Sequence, residues 1–413
     1  MADINSYGRE DLNIEDKGVS ALQSYANNAT AGKDAVVLSG GGGFGAFEVG
    51  VLKTLVSGRS PATAGAHLQV ETFTGTSVGA YNAAVLASRP DLNIEAAVVH
   101  LEDIWLDRIA GDLADNGILR IRGNPLWLFD INKLISNSGL HITNATRDAV
   151  HFSRNAVTLL ANFLGSPLPL FDRTIEMFDL ASFISTEPML ALVNETVSLH
   201  ELNRSRRTLK IATTNWVSGE LRIFVHDPCG LARKGNGSQK PRFSREENLT
   251  DKMWPSSLLA SAAIPGVFPP VMIDGVPHVD GGVGMNTPLR PAVDAGATTV
   301  HLICPNPDTT DMPMNNGLHV FERLLHLVVT ATLNDDVEKI RRVNSLIQNS
   351  PQLSENEHYR PMTVHRYSPR MDSIGIAGML DFRADRLRRR IALGEQAAMH
   401  HDCKRERCVL PQT

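Results

Sequence analysis

A chain of 413 residues, 42% hydrophobic and 21% charged, is long enough to bury a large core and has the balance of a soluble globular protein. Its 40 Lys and Arg against 45 Asp and Glu give a net charge of −5, which speaks against a nucleic-acid binder. Four cysteines (Cys229, Cys304, Cys403 and Cys408) are too few for a disulfide scaffold and lack CxxC spacing, which points to a reducing compartment.

In chain order, residues 1–33 are polar and lack the apolar centre of a signal peptide, so they read as an N-terminal arm and the chain as cytoplasmic. No uninterrupted apolar run approaches membrane-spanning length, so any lipid contact is expected to be peripheral. Residues 35–38 form a short apolar run stopped by glycines, a buried strand. Residues 45–57 carry Phe47, Val51, Leu52 and Leu55 at helical spacing. Residues 68–74 alternate as a strand and 78–86 read as a helix. Such alternation predicts an α/β layer fold with a mainly parallel sheet. Residues 100–200 are less regular. Two strands follow at 209–213 and 221–225 around Ser218-Gly219, then a helix at 290–295 and a strand at 299–304. Residues 306–350 begin as a polar loop and become helical, 351–370 are polar and irregular, and 382–400 form a basic helix.

Gly40-Gly41-Gly42-Gly43-Phe44-Gly45 lies between the first strand and the first helix. Gly40, Gly42 and Gly45 satisfy the G-x-G-x-x-G pattern of dinucleotide sites. Backbone N–H groups at a helix N-terminus suit a pyrophosphate or a tetrahedral oxyanion equally, so the loop alone leaves both readings open. Gly75-Thr76-Ser77-Val78-Gly79 breaks the tie. It is G-x-S-x-G after a predicted strand and before a predicted helix, the setting in which a sharp turn holds a serine hydroxyl exposed. A dinucleotide fold would need an acidic residue at a strand end about 20 positions past the loop. Glu71 falls inside the predicted strand instead.

A serine nucleophile needs a proton acceptor. None of the 14 histidines stands in a recognisable catalytic setting. His278 is two residues before a better candidate, and His301 or His319 would serve only in a histidine-dependent α/β-hydrolase. The better candidate is Asp280 in Val279-Asp280-Gly281-Gly282-Val283, approached through the apolar stretch 267–273. Aspartate is a weak base at its ordinary pKa of about 3.9. Burial would raise that value, and a hydrogen bond to Ser77 would align the transfer.

Together these residues resemble the patatin-like phospholipase family. Leu38 to Gly42 with Gly45 to Leu52 is similar to its first motif, and Gly75 to Gly79 to its nucleophile motif. Asp280-Gly281-Gly282 matches its D-G-G/A motif, preceded by Ala260-Ser261-Ala262-Ala263-Ile264-Pro265-Gly266-Val267-Phe268 and followed by Asn286-Thr287-Pro288-Leu289. The resemblance spans residues 34–305, leaving 306–413 as a mostly helical C-terminal extension. It implies a three-layer α/β/α fold and a Ser–Asp dyad without histidine, Ser77 as nucleophile and Asp280 as base. It also implies an oxyanion hole of Gly41, Gly42 and Gly43 N–H groups, with Gly40, Gly45, Gly75, Gly79, Gly281 and Gly282 as motif glycines. The implied substrate is a phospholipid or other acyl-ester lipid, and no cofactor is expected. Ser185-Thr186-Glu187-Pro188-Met189 looks like a weaker family segment bordering the site. One departure is Phe44, where the family commonly has Arg or Lys.

Three features fall outside these motifs. His400, His401, Cys403 and Cys408 have metal-ligating chemistry, but their spacing reads first as a solvated tail, and no metal is expected. The arginines between Arg383 and Arg407 read first as a solvent-facing charged helix and tail, and second as a contact for anionic lipid. Val157, Leu160, Phe163 and Leu164 recur at helical spacing ahead of an apolar run at 167–171, and read either as core or as an apolar lip beside the site.

Overall fold

The computed structural model describes residues 33–111, 117–118, 120–121, 184–228, 244–305, 317–350, 352–353, 360–369 and 376–411. The N-terminal half of these holds β1 (Lys33–Leu38), α1 (Gly45–Val56), β2 (Thr72–Thr76), α2 (Val78–Ala87), α3 (Ile94–Ile104), the short β3 (Arg120–Ile121) and β4 (Ile184–Ser185), α4 (Glu187–Thr196) and α5 (Leu199–Arg204). There follow β5 (Thr208–Asn215), β6 (Leu221–His226), β7 (Ser244–Asn248), α6 (Ser256–Ser261), β8 (Val271–Ile273), β9 (Val276–Asp280), α7 (Gly282–Met285) and α8 (Leu289–Asp294). The chain closes with β10 (Ala297–Ile303), α9 (Gly317–Asn349), β11 (Thr363–Tyr367), α10 (Ile376–Met379) and α11 (Ala384–Met399).

The main sheet runs β11-β10-β1-β2-β5-β6-β7. From β11 to β5 every neighbouring pair is parallel. The antiparallel pairs are β5–β6, β5–β9 and β8–β9. Successive side chains on a strand face opposite ways, and β1 shows what each face meets. Val36 and Leu38 join a core with Phe47 and Leu52 of α1, Val85 of α2, Leu101 of α3 and Leu387 of α11. Ala35 and Val37 join another with Ala292 of α8 and Leu333, Val337 and Ile340 of α9. Helices therefore cover both faces, as the near-continuous apolar character of β1 requires. The architecture is three-layer α/β/α around a mainly parallel sheet, with a helical C-terminal region.

Two predicted elements move. The strand expected at 68–74 pairs over Thr72–Thr76. Leu68 and Val70 are buried as their alternation predicts, but they enter the core ahead of the paired segment. Within the stretch expected to be irregular, β11 forms the sheet edge. Its sequence Thr-Val-His-Arg-Tyr is short and polar, which hides an edge strand from pattern reading. The expected N-terminal arm up to residue 32 and the apolar segment 157–171 lie outside the described residues.

α1 is buried along its length except at Lys53. The Lys53 ammonium meets Glu102 on α3 and Glu395 on α11 at 2.7 Å each. α11 packs along α1. The helices cross so closely that a Cβ at Gly50 would collide with the Ile391 carbonyl, and one at Gly394 with the Phe47 carbonyl. Gly50→Val is therefore expected to lower unfolding free energy by about 1–3 kcal/mol in denaturant titration. Val99→Ala, at a position of α3 that is 49% exposed, is expected to change it by no more than about 0.5 kcal/mol.

Candidate active site

β2 ends at Thr76 and α2 begins at Val78, so Ser77 alone reverses the chain. It does so at φ 56° and ψ −128°, a costly conformation for a residue with a Cβ. Flanking glycines make room for the turn: a Cβ at Gly75 would strike the Gly79 carbonyl, and one at Gly79 the Leu38 carbonyl. The Ser77 N–H donates to Ser261 Oγ at 2.9 Å, and the Ser261 hydroxyl donates to the Ala212 carbonyl at 2.7 Å. Ser261, on α6, thereby ties the strained turn to β5.

The sheet register brings Asp280 to this turn. β2 pairs with β5 as far as Thr76 opposite Ala212. The next residue of β5, Thr213, pairs instead with Asp280, the last residue of β9. Because β6 occupies the other edge of β5, β9 takes up the edge that β2 has just left. The Ser77 hydroxyl lies close enough to the Asp280 carboxyl to favour its charged form. The Gly282 N–H donates to Asp280 Oδ1 at 2.6 Å, and the Asp280 N–H donates to the Ala263 carbonyl at 2.9 Å. Gly281 passes so close to β5 that a Cβ would strike the Ala212 carbonyl. Both side chains are buried, Ser77 at 6% and Asp280 at 5% exposure. Burial pushes the Asp280 carboxyl up to about 7, against the opposing pull of the Gly282 N–H and the nearby Ser77 hydroxyl.

The glycine loop closes the third side. The Gly40 N–H donates to the Asn286 carbonyl at 3.2 Å, and Asn286 Nδ2 donates back to the Gly40 carbonyl at 3.3 Å. Ser39 and Thr287 hydroxyls meet at 2.8 Å. The segment following the Asp280 turn thus clamps the loop, and a Cβ on Gly40 would stand 3.1 Å from that of Ser77. Gly42 to Phe44 make one 3₁₀ turn that runs into α1, with Gly42 at φ +55°. The first bond of this turn is Phe44 N–H to the Gly41 carbonyl. The N–H groups of Gly41, Gly42 and Gly43 precede that bond, so the turn itself provides them no acceptor. They sit at the positive end of α1. Gly45 starts α1 against Trp105 and Val78.

Phe44, the departure from the family pattern, is 3% exposed. The Arg390 guanidinium lies over its ring, 4.1 Å from the centroid. Arg390 also donates to the Asp381 and Gly378 carbonyls at 2.7 and 2.6 Å. These bonds hold the α10 turn over the loop, where the Met379 and Asp381 carbonyls abut Gly42 and Gly43. Burial lowers the Arg390 pKa to about 10, which leaves it charged at neutral pH. The basic helix is therefore not uniformly solvent-facing. Arg386, Arg388 and Arg389 are exposed, but Arg390 shares the buried stripe of Leu387, Ile391, Gly394 and Ala398. That helical spacing was the available sequence signal for Arg390.

Beside Ser77 opens an apolar cavity of about 90 Å³, lined among others by Val78, Tyr81, Trp105, Met189, Leu258, Phe268 and Phe382. Met189 comes from the weaker family segment, and Phe382 from the C-terminal region. The Tyr81 hydroxyl is held by Thr196 at 2.8 Å.

Among the described residues the competing constellations are not assembled. His278 is buried with Nδ1 on the Val276 carbonyl at 2.9 Å. His301 is buried on β10 with Nδ1 on the Tyr367 hydroxyl at 3.0 Å. The side chain of His319 lies outside the described residues. Glu71 is exposed just before β2, at the strand end opposite the glycine loop, so the ribose-binding acid of a dinucleotide site is missing from its place. The C-terminal His and Cys residues also depart from expectation. His400 is exposed, whereas His401 is buried and gathered with Cys403, Cys408 and His365 of β11.

Comparison with protein families matches residues 36–293 to the patatin-like phospholipase family. Comparison with curated proteins finds no match.

The buried carboxyl has a consequence for stability. Asp280 titrates at about 7 in the fold against 3.8 ordinarily, so the folded state holds its proton more tightly. Its contribution to stability is full below 3.8 and is lost as pH rises through about 7. Asp280→Asn keeps the acceptor for Gly282 without the charge. Thermal unfolding is expected to show this variant gaining over wild type at about pH 8.5, and gaining less at about pH 5. Equal gains at both values would place the carboxyl's titration elsewhere.

Proposed function

The chain belongs to the patatin-like phospholipase family, and on that premise we propose that it is a serine acyl hydrolase of phospholipid esters, of phospholipase A or lysophospholipase character. The observation that carries this reading is the strand junction that sets the strained Ser77 turn against a buried Asp280, beside the glycine-rich start of α1.

In the proposed reaction Ser77 Oγ attacks the ester carbonyl while the Asp280 carboxylate takes the hydroxyl proton. A positioned base of this kind contributes roughly 10²–10⁴-fold. Burial supports the role, because a carboxyl with a pKa of about 7 is a far better proton acceptor than an ordinary aspartate and is still ionised in part at neutral pH. The developing oxyanion is received by the N–H groups of Gly41, Gly42 and Gly43, each donor of this kind being worth about 10²–10³-fold. Asp280 then returns the proton to the departing lysolipid or alcohol oxygen, leaving an acyl ester on Ser77. Water attacks that ester, Asp280 again takes the proton, and the fatty acid leaves as Ser77 regains its hydrogen. No step calls on histidine.

The apolar cavity beside Ser77 supports an acyl chain as the recognised group, since each buried CH₂ contributes about 0.8 kcal/mol. No described helix is long and apolar enough to cross a membrane. The proposed enzyme reaches its lipid from the surface.

Ser77→Ala is expected to lower kcat/KM on a phospholipid by about 10⁴-fold or more with an unchanged circular dichroism spectrum. Residual activity near wild type in that folded variant would remove Ser77 from the reaction. For wild type, kcat/KM should rise with pH and level off above about 7, the limb reporting the free Asp280 carboxyl. Asp280→Asn should lose that limb along with about 10²–10⁴-fold in rate, and folded His278→Ala or His301→Ala should keep it. A limb that vanishes with a histidine instead would move the reaction to a histidine base.

A further inference from the structure

Away from Ser77, the sheet edge gathers a second set of reactive side chains. β11 carries His365 at that edge. After α11 the chain returns to it, where Val364 and Val409 exchange backbone hydrogen bonds of 2.8 and 2.9 Å. The return brings His401, Cys403 and Cys408 up to His365, with one ligating atom from each of the four within 4.8 Å of the others. Cys403 Sγ lies 3.5 Å from both His365 Nδ1 and His401 Nε2, and Cys408 Sγ lies 3.5 Å from His401 Nε2.

We propose that His365, His401, Cys403 and Cys408 hold a structural zinc ion that pins the chain following α11 to the edge strand β11. A tetrahedral ion bound at about 2.3 Å to sulfur and about 2.05 Å to nitrogen separates S from N by about 3.5 Å. That is the spacing of all three contacts. Thiol hydrogen bonding alone accounts for them less well. Each thiol has one proton and His401 Nε2 has one lone pair or one hydrogen, so the contacts close only by forking one of these. Two thiolates and two neutral imidazoles also cancel the charge of a divalent ion, as a half-buried position requires. The ligand set is soft and complete, which favours zinc and leaves no open position for chemistry.

The surroundings are built for it. The Arg366 N–H donates to Cys408 Sγ at 3.3 Å, the kind of outer hydrogen bond that steadies a ligating thiolate. The turn between the cysteines is closed by Cys408 N–H on the Cys403 carbonyl at 2.9 Å, and Asp402 accepts from the Lys404 N–H at 2.9 Å. His301 stacks on His365 with ring centroids 5.4 Å apart, and Tyr367 packs on His401 at 4.6 Å. These contacts hold both imidazoles in place. β11 stands three strands from β2, about 14 Å across the sheet, so the ion serves the fold and not the ester.

The test is metal analysis of the full chain purified under reducing conditions without chelator, followed by chelation and return of cobalt(II). The expected result is one zinc per chain. Cobalt should then give the intense visible bands and near-ultraviolet thiolate charge transfer of a tetrahedral sulfur-ligated ion, with a higher thermal midpoint than the stripped protein. Cys403→Ser and Cys408→Ser should each fall to about a tenth of the wild-type metal content or less, while Cys229→Ser retains it. Three results overturn the proposal: a folded wild-type chain that binds neither zinc nor cobalt, metal retained by both cysteine variants, or a Cys403–Cys408 disulfide in peptide mapping of the reduced preparation. The wild-type measurement decides by itself where a variant fails to fold.

Discussion

One edge of β5 is shared by two strands, and the rest of the site depends on that division. β2 occupies the edge up to Ala212 and β9 occupies it from Thr213 onward. At such a junction the end of one strand faces the end of another, so two residues remote in sequence must meet. Here they are Ser77 and Asp280. A shift of β9 by one residue would turn the carboxyl to the opposite face of the sheet. The Asp280 N–H bond to Ala263 and the close approach of Gly281 to Ala212 both hold the register.

The junction imposes costs that its neighbours offset. Ser77 is held at positive φ, and a carboxyl is buried where water would otherwise solvate it. Ser261 secures the turn from behind. Asn286 and Thr287 secure the glycine loop from the Asp280 side. From the other side the loop is backed by Phe44, with the Arg390 cation on its ring and the α10 turn hydrogen-bonded to the same guanidinium. The cation beside this loop is delivered from α11. The proposed zinc site fixes the chain where that helix ends, so both ends of the buttress are tied to the sandwich.

What the sequence disclosed follows from how far apart the cooperating residues lie. The glycine loop and the Ser77 turn are contiguous, and steric demands at fixed spacing leave a readable pattern. Asp280 was readable because two glycines mark its turn. The α/β alternation was readable because buried parallel strands are apolar throughout. Arg390 was not singled out, since among so many arginines one buried member shows only through its spacing with Leu387 and Ile391. His365 was missed because β11 is short and polar, and without that strand the proposed zinc set lacks its fourth residue. His400 stood in for it in sequence, but the helix end turns His400 to solvent. Ser261 and Asn286 lay in recognised segments, yet their roles as clamps appear only when β5 and the loop are brought together.

The proposed reaction requires that Ser77, activated by the buried Asp280, form a covalent acyl intermediate. Its most direct test is to treat the full chain with a long-chain fluorophosphonate across pH and map the adduct by peptide mass spectrometry. A single adduct on Ser77 is expected, with a labelling rate that falls as pH drops below about 7. An adduct on another residue, undiminished labelling of Ser77→Ala, or a rate indifferent to Asp280→Asn would contradict it.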